Sequence, residues 1–214
     1  MGLFQKKFTN TSSHAPLYTL GDQKSILIVG LGNPGKEYEG TRHNIGYACV
    51  ESLITSHSDF DGWITKKDLK CQQTSATIGG TKVFVIKPTT FMNLSGEAVQ
   101  AVQNFYKISS SNTVVVADEL DIPFGQIKTK VGGGSAGHNG IKSIIQHSGE
   151  NFGRVRIGIN SEHRTKNDEI DFVLKKFSSE EQANLADLTS EVTSILTEYI
   201  YSMQLANETR NVII

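Results

Sequence analysis

Two short, uninterrupted apolar runs constrain this chain more than any other feature. Ser25–Leu31 (SILIVGL) and Thr113–Ala117 (TVVVA) carry hydrophobic residues at consecutive positions. Successive residues of a strand point to opposite faces, so such runs must be covered on both sides. The chain between and after them supplies the cover. His43 to about Ser56 sets Ile45, Ala48, Cys49, Leu53 and Ile54 at helical spacing, and Asn93–Tyr106 does the same with Leu94, Ala98, Ala101, Val102 and Phe105. Short helices are expected at Asn139–His147 and Asp168–Lys175. A long one is expected at Ser179–Met203, where Leu185, Leu188, Val192, Ile195, Leu196 and Tyr199 share one face. Arg154–Ile159 reads as a strand, and Leu69–Ile78 and Thr81–Ile86 flank Gly79-Gly80 as a hairpin. Strands interleaved with helices predict a single α/β domain: a mixed, mostly parallel twisted sheet sandwiched between helical layers.

Composition narrows the class. The chain has 214 residues and 37% hydrophobic content, enough for one substantial core. No apolar run approaches the ~20 residues that span a bilayer, so no membrane partner is expected. Residues 1–24 are polar, rich in Ser and Thr, and read as a flexible N-terminal extension, with the domain proper at 25–214. Cys49 and Cys71 form no CxxC pair and read as reduced core thiols of a cytoplasmic protein. Net charge is −1, yet residues 124–166 hold seven Lys and Arg against two Glu, while residues 178–200 hold five acids and no Lys or Arg. Such an asymmetry offers a basic face to a polyanion; ordinary scatter of surface charge is the other reading.

One motif points towards a dinucleotide. Gly30-Leu-Gly-Asn-Pro-Gly35 matches GxGxxG directly after a strand. A dinucleotide fold needs the last glycine in a helix packed on the sheet. Here Pro34 precedes that glycine and KEYEGTRHN follows, without an apolar face for docking. The turn nevertheless places Asn33 at the carboxyl end of a strand, where open α/β sheets bind ligands.

Polar residues gather at comparable places: Asn33, Thr41-Arg42-His43-Asn44, Thr89-Thr90-Phe91-Met92-Asn93, Asp118-Glu119-Leu120-Asp121 and Gly137-His138-Asn139-Gly140. An imidazole, with an intrinsic pKa of about 6.5, is suited to general base work. A carboxylate such as Asp118, at the end of TVVVA, can fix the tautomer of His43 and leave its other nitrogen free for a water proton. No GxSxG is present, and no Ser or Cys makes a plausible nucleophile beside a base, so the chemistry suggested is attack by an activated water. Asparagine amides would hold an ester and its developing oxyanion. Each residue also has a structural alternative: His43 or Asn93 as a helix cap, Asp118 as a turn residue, His138 as a solvated loop residue. With neither HExxH nor a Cys ligand pair, no metal is expected. The Gly-rich run 132–140 opens a short helix and could present N–H groups to a phosphate. Lys128 and Lys130, like Arg154 and Arg156, are two apart and so share one side of an extended segment.

At these residues the sequence resembles bacterial-type peptidyl-tRNA hydrolase. The similar segments are IVGLGNPGKEYEGTRHNIGY (28–47), KPTTFMNLSGEAV (87–99), VVVADELDIPFGQIKTKVGGGSAGHNGIKSI (114–144) and RVRIGI (154–159). The resemblance implies a monomeric esterase with no cofactor that cleaves the ester between a peptide and the tRNA ribose. It matches His43 to the catalytic base and Asp118 to its orienting acid. Asn33, Asn93 and Asn139 match amides that bind the peptide backbone and position water, and Tyr38 and Met92 match the peptide-channel wall. Lys130 and Arg156 match a clamp on the tRNA end phosphate, with Lys142 and His138 along the tRNA path. The chain departs from the family pattern after Ile159, where Asn160-Ser-Glu-His-Arg-Thr replaces a Gly and a basic-Pro pair, and it lacks a basic C-terminal extension. A nicotinamide-dependent oxidoreductase and a non-catalytic RNA-binding module are the rival classes.

Overall fold

The computed structural model describes residues 24–161, 164 and 169–212. Strand β1 (Ser25–Gly30) lies at the centre, with β4 (Thr81–Pro88) on one side and β5 (Thr113–Pro123) on the other, both parallel to it. The period of two explains why every residue of β1 after Ser25 is buried. Ile26 and Ile28 enter a core with Cys49, Val50 and Leu53 of α1 (Ile45–Ser56) and with Leu188, Val192 and Leu196 of α6 (Leu185–Ser202). Leu27 and Val29 enter the opposite core with Val99 and Val102 of α2 (Ser95–Tyr106) and Ile141 and Ile144 of α3 (Asn139–Ser148).

Eight strands form one sheet in the order β2-β3-β4-β1-β5-β7-β6-β8. The sheet is mixed as expected. Its parallel part is the central β4-β1-β5-β7, where β7 is Gly153–Asn160. Both flanks are antiparallel: β2 (Ile64–Lys66) and β3 (Cys71–Ile78) on one side, β6 (Gln126–Val131) and β8 (Thr209–Asn211) on the other. The Gly79-Gly80 hairpin joins β3 to β4, both glycines at positive φ.

Four boundaries differ from the sequence reading. β5 does not stop at Ala117: pairing to β7 continues through Asp118↔Ile157 and Glu119↔Gly158, then slips before Pro123↔Asn160. Asp118 therefore sits within a strand, because backbone pairing outlasts the apolar run. The helix expected over 179–203 is broken at Asn184 into α5 (Ser179–Ala183) and α6. A capping box between Ser178 and Glu181 starts α5. The helices expected from His43 and Asn93 begin at Ile45 and Ser95, each after a 3₁₀ turn, so Asn93 is not a cap. The proposed extension 1–24 lies outside the described residues except for Lys24, whose carbonyl accepts the Lys82 N–H. The helix expected at Asp168–Lys175 is α4 (Glu169–Leu174).

The GxGxxG turn is no dinucleotide cradle. Gly35 is followed by a 3₁₀ turn at Lys36–Tyr38 rather than a packed helix. A Cβ on Gly46, in the first turn of α1, would collide with the Val116 carbonyl and the Leu31 backbone. The start of α1 is thus pressed onto the residue after β1 and onto the middle of β5, two residues before Asp118, and this contact brings His43 to Asp118.

Candidate active site

His43 lies in the 3₁₀ turn ahead of α1, between two immobilised neighbours. Asn44 accepts the Asn33 N–H through Oδ1 at 2.8 Å and donates from Nδ2 to the Asn33 carbonyl at 3.0 Å. Arg42 is buried and donates to Glu181 at 2.6 Å and to the Lys176 carbonyl at 2.9 Å, with its guanidinium 4.2 Å over the Phe172 ring of α4. From this turn His43 Nδ1 reaches Asp118 Oδ1 at 2.8 Å.

The same oxygen meets a second imidazole. His138 Nε2 lies 3.0 Å from Asp118 Oδ1, and the two rings are 5.0 Å apart. His138 caps α3: its Nδ1 accepts the Gly140 and Ile141 N–H groups. An accepting Nδ1 carries no proton, so Nε2–H is the donor to Asp118. His43 likewise donates from Nδ1, which leaves its Nε2 lone pair for the cleft. Burial alone would raise the Asp118 carboxyl. The His138 and His43 imidazoles outweigh burial and hold it well below the usual carboxylate range. Among the described residues these three side chains are also the one group of metal-ligand type, with ligand atoms within 4.8 Å of one another. Their N···O separations are hydrogen-bond distances.

The trio opens into a cleft of about 570 Å³. Asn33, Asn93 and Asn139 line its polar side; Phe91, Met92 and α4 residues including Ile170 and Leu174 line its apolar side. Asn33 Oδ1 accepts the Met92 N–H at 2.8 Å, so the amide presents its Nδ2 group as a donor. A smaller recess adjoins the cleft and shares Asp118, Glu119 and His138 with it; Lys130, Arg154 and Arg156 line its far side.

Those basic residues form a cross-strand ladder, with Lys128 opposite Arg156 and Lys130 opposite Arg154. Like charges face to face are unfavourable. Arg154 is relieved from within: it is buried, donates to the Gly133 and Gly134 carbonyls, and lies 4.6 Å over Phe152. Burial and the Arg156 and Arg154 guanidiniums push the Lys130 ammonium below its ordinary value.

Against known proteins, a family profile described as peptidyl-tRNA hydrolase matches residues 27–212. The chain belongs to the peptidyl-tRNA hydrolase family. It is 40% identical over 169 residues to the peptidyl-tRNA hydrolase of Rickettsia africae (strain ESF-5), covering 79% of this chain and 90% of that protein. To that of Sorangium cellulosum (strain So ce56) it is 41% identical over 189 residues, covering 87% and 83%. The crystal structure of peptidyl-tRNA hydrolase from Acinetobacter baumannii aligns with a TM-score of 0.74 at 35% identity, covering 85% of this chain and 91% of that one.

Not every residue matched to a peptidyl-tRNA hydrolase role falls at the cleft. His43, Asp118, Asn33, Met92, Asn93 and Asn139 line it together. Tyr38 does not; it stands edge-on to Phe91 of the wall at 6.4 Å. His138 faces Asp118 and lines both the cleft and the recess of Lys130, Arg154 and Arg156. Lys130 and Arg156 line the recess, whereas Lys142 is exposed on α3 and lines neither. Glu119 and Phe91, which the sequence places in its polar segments without a role, Arg154, which it pairs with Arg156, and Ile170 and Leu174 of α4 also line the cleft or the recess. The signal available for Glu119 was its place beside Asp118; α4 gave none, because amphipathic spacing alone does not tell which face meets a cleft.

Proposed function

We propose that this chain hydrolyses the ester joining a peptide to the terminal ribose of tRNA, releasing tRNA from abandoned translation. The observation that carries the reading is His43. Its Nδ1–H is held by buried Asp118 while Nε2 is left open to a cleft lined by asparagine amides. His43 Nε2 takes a proton from water as the oxygen attacks the ester carbonyl. The carbonyl oxygen gains charge, and the Nδ2 group of Asn33, with Asn93 and Asn139, supplies donors for it and for the peptide backbone. Collapse breaks the bond to the ribose oxygen, which takes the proton back from the imidazolium. The products are a peptide acid and a ribose hydroxyl. Lys130 and Arg156 hold a tRNA phosphate, Lys142 adds charge along the tRNA path, and Tyr38 and Met92 support the peptide wall. The reading is of a monomer in the cytoplasm that uses no metal or cofactor, and the cleft residues named here all come from one chain. The test is deacylation of N-acetyl-aminoacyl-tRNA with unblocked aminoacyl-tRNA as control. Turnover of the blocked substrate only is expected; binding without turnover would return the chain to the RNA-binding class.

A further inference from the structure

Glu119 is a carboxylate that the mechanism above leaves unused. Its side chain is 8% exposed, and it lines both the main cleft and the recess of Lys130 and Arg156. Its partners among the described residues are distant. Oε1 accepts the Asp121 N–H at 3.5 Å, and Oε2 lies 3.8 Å from the Arg156 guanidinium. Charge-assisted hydrogen bonds run nearer 2.7–2.9 Å. A carboxylate offers about four acceptor sites and is costly to bury with so few filled. Glu119 therefore brings unspent acceptor capacity to the space where the two recesses meet.

The chemistry of the substrate says what crosses that space. With the ester at His43 and a phosphate of the tRNA end at Lys130 and Arg156, the terminal ribose spans the gap. That sugar carries a 2′-hydroxyl beside the esterified 3′-oxygen, a donor by which a protein tells RNA from DNA. A phosphate could not sit against Glu119, since like charges repel. We propose that Glu119 accepts a hydrogen bond from the 2′-hydroxyl of the terminal ribose, and so reads the esterified end as RNA. The inference rests on the hydrolytic reading above.

The experiment compares N-acetyl-aminoacyl-tRNA ending in adenosine or in 2′-deoxyadenosine, on wild type, Glu119→Gln and Glu119→Ala. The measure is the ratio of kcat/KM for the two substrates. The intrinsic effect of the neighbouring hydroxyl on ester reactivity is common to all three enzymes and cancels. Wild type is expected to favour the ribose end about tenfold to a hundredfold more than Glu119→Ala does, the range for a hydrogen bond to a charged group. Glu119→Gln, which keeps shape and a neutral acceptor, should fall between. An unchanged ratio in both variants overturns the proposal. So does equal loss on both substrates, which is what a mere partner of Arg156 would give. Titration of wild type with 5′-AMP and 2′-deoxy-5′-AMP is independent of turnover and of variant folding: tighter binding of AMP supports the contact, and equal binding overturns it. A wild type that cleaved neither ester would sink the hydrolase reading instead, and the nucleotide titration would still decide the ribose contact.

Discussion

At the scale of single residues, the site divides labour between groups that move a proton and groups that hold one still. His43→Ala should lower kcat by about 10²–10⁴-fold, the usual contribution of a general base. Asp118→Asn should cost less, because the imidazole remains while its orientation weakens; steady-state kinetics with circular dichroism for fold will check both, and a fully active Asp118→Asn would refute the pair. Glu119 makes the opposite demand on stability. Burial raises its carboxyl, against the Asp121 N–H and Arg156, which lower it. An unfolded glutamate titrates near pH 4.3, so just above that the folded chain holds the extra proton and stability falls as pH rises. Glu119→Gln should therefore raise Tm by a few degrees at pH 7.5 and leave it unchanged near pH 4, a contrast that thermal melts at both values will show. The sequence offered His43 and Asp118 as a pair because polar segments follow its apolar runs, while each residue alone also read as a cap or turn residue; the structure sets the two 2.8 Å apart. The tautomer of His138 was not, because it depends on N–H groups of Gly140 and Ile141 that only the start of α3 aims at the ring.

At the scale of elements, β6 and β7 set the basic ladder. Spacing by two showed that Lys128 and Lys130 share a side, and likewise Arg154 and Arg156. It could not show the register that sets Lys130 opposite Arg154, nor that Arg154 spends its guanidinium on the Gly133 and Gly134 carbonyls. Lys130→Ala or Arg156→Ala should mainly raise KM for tRNA substrates, with kcat on a short ester untouched. Each should also flatten the log–log dependence of affinity on salt by about 0.7 per lost contact, the single-strand coefficient. Kinetics at two salt concentrations will test this, and a deep loss of kcat on the short ester would move Lys130 into the reacting centre. Helices were legible by their apolar faces but not by their starts. The 3₁₀ turns before α1 and α2 are set by close packing, as where Gly46 lets α1 press on Val116.

At the scale of the molecule, the central parallel strands were readable because burial on both faces demands unbroken apolar runs. The short flanking strands β2 and β8 carry no such pattern: their residues are largely exposed. Among the described residues, both cores are built from Ile26 onward, and Lys24 precedes β1 at the end away from the cleft. Deleting residues 2–22 should leave Tm and hydrolysis nearly unchanged; a marked fall in either, by melting or by turnover, would show that the segment packs on the domain. The cleft and the basic recess meet at Asp118, Glu119 and His138, with Phe91, Met92 and α4 residues on one side and Lys130, Arg154 and Arg156 on the other. In the proposed reaction an intact substrate occupies both and is bivalent, each half raising the effective concentration of the other. Hydrolysis cuts the tether between them. Each product then keeps one foothold and loses the avidity of the pair, so the bond broken at His43 is also the one that held the substrate in place.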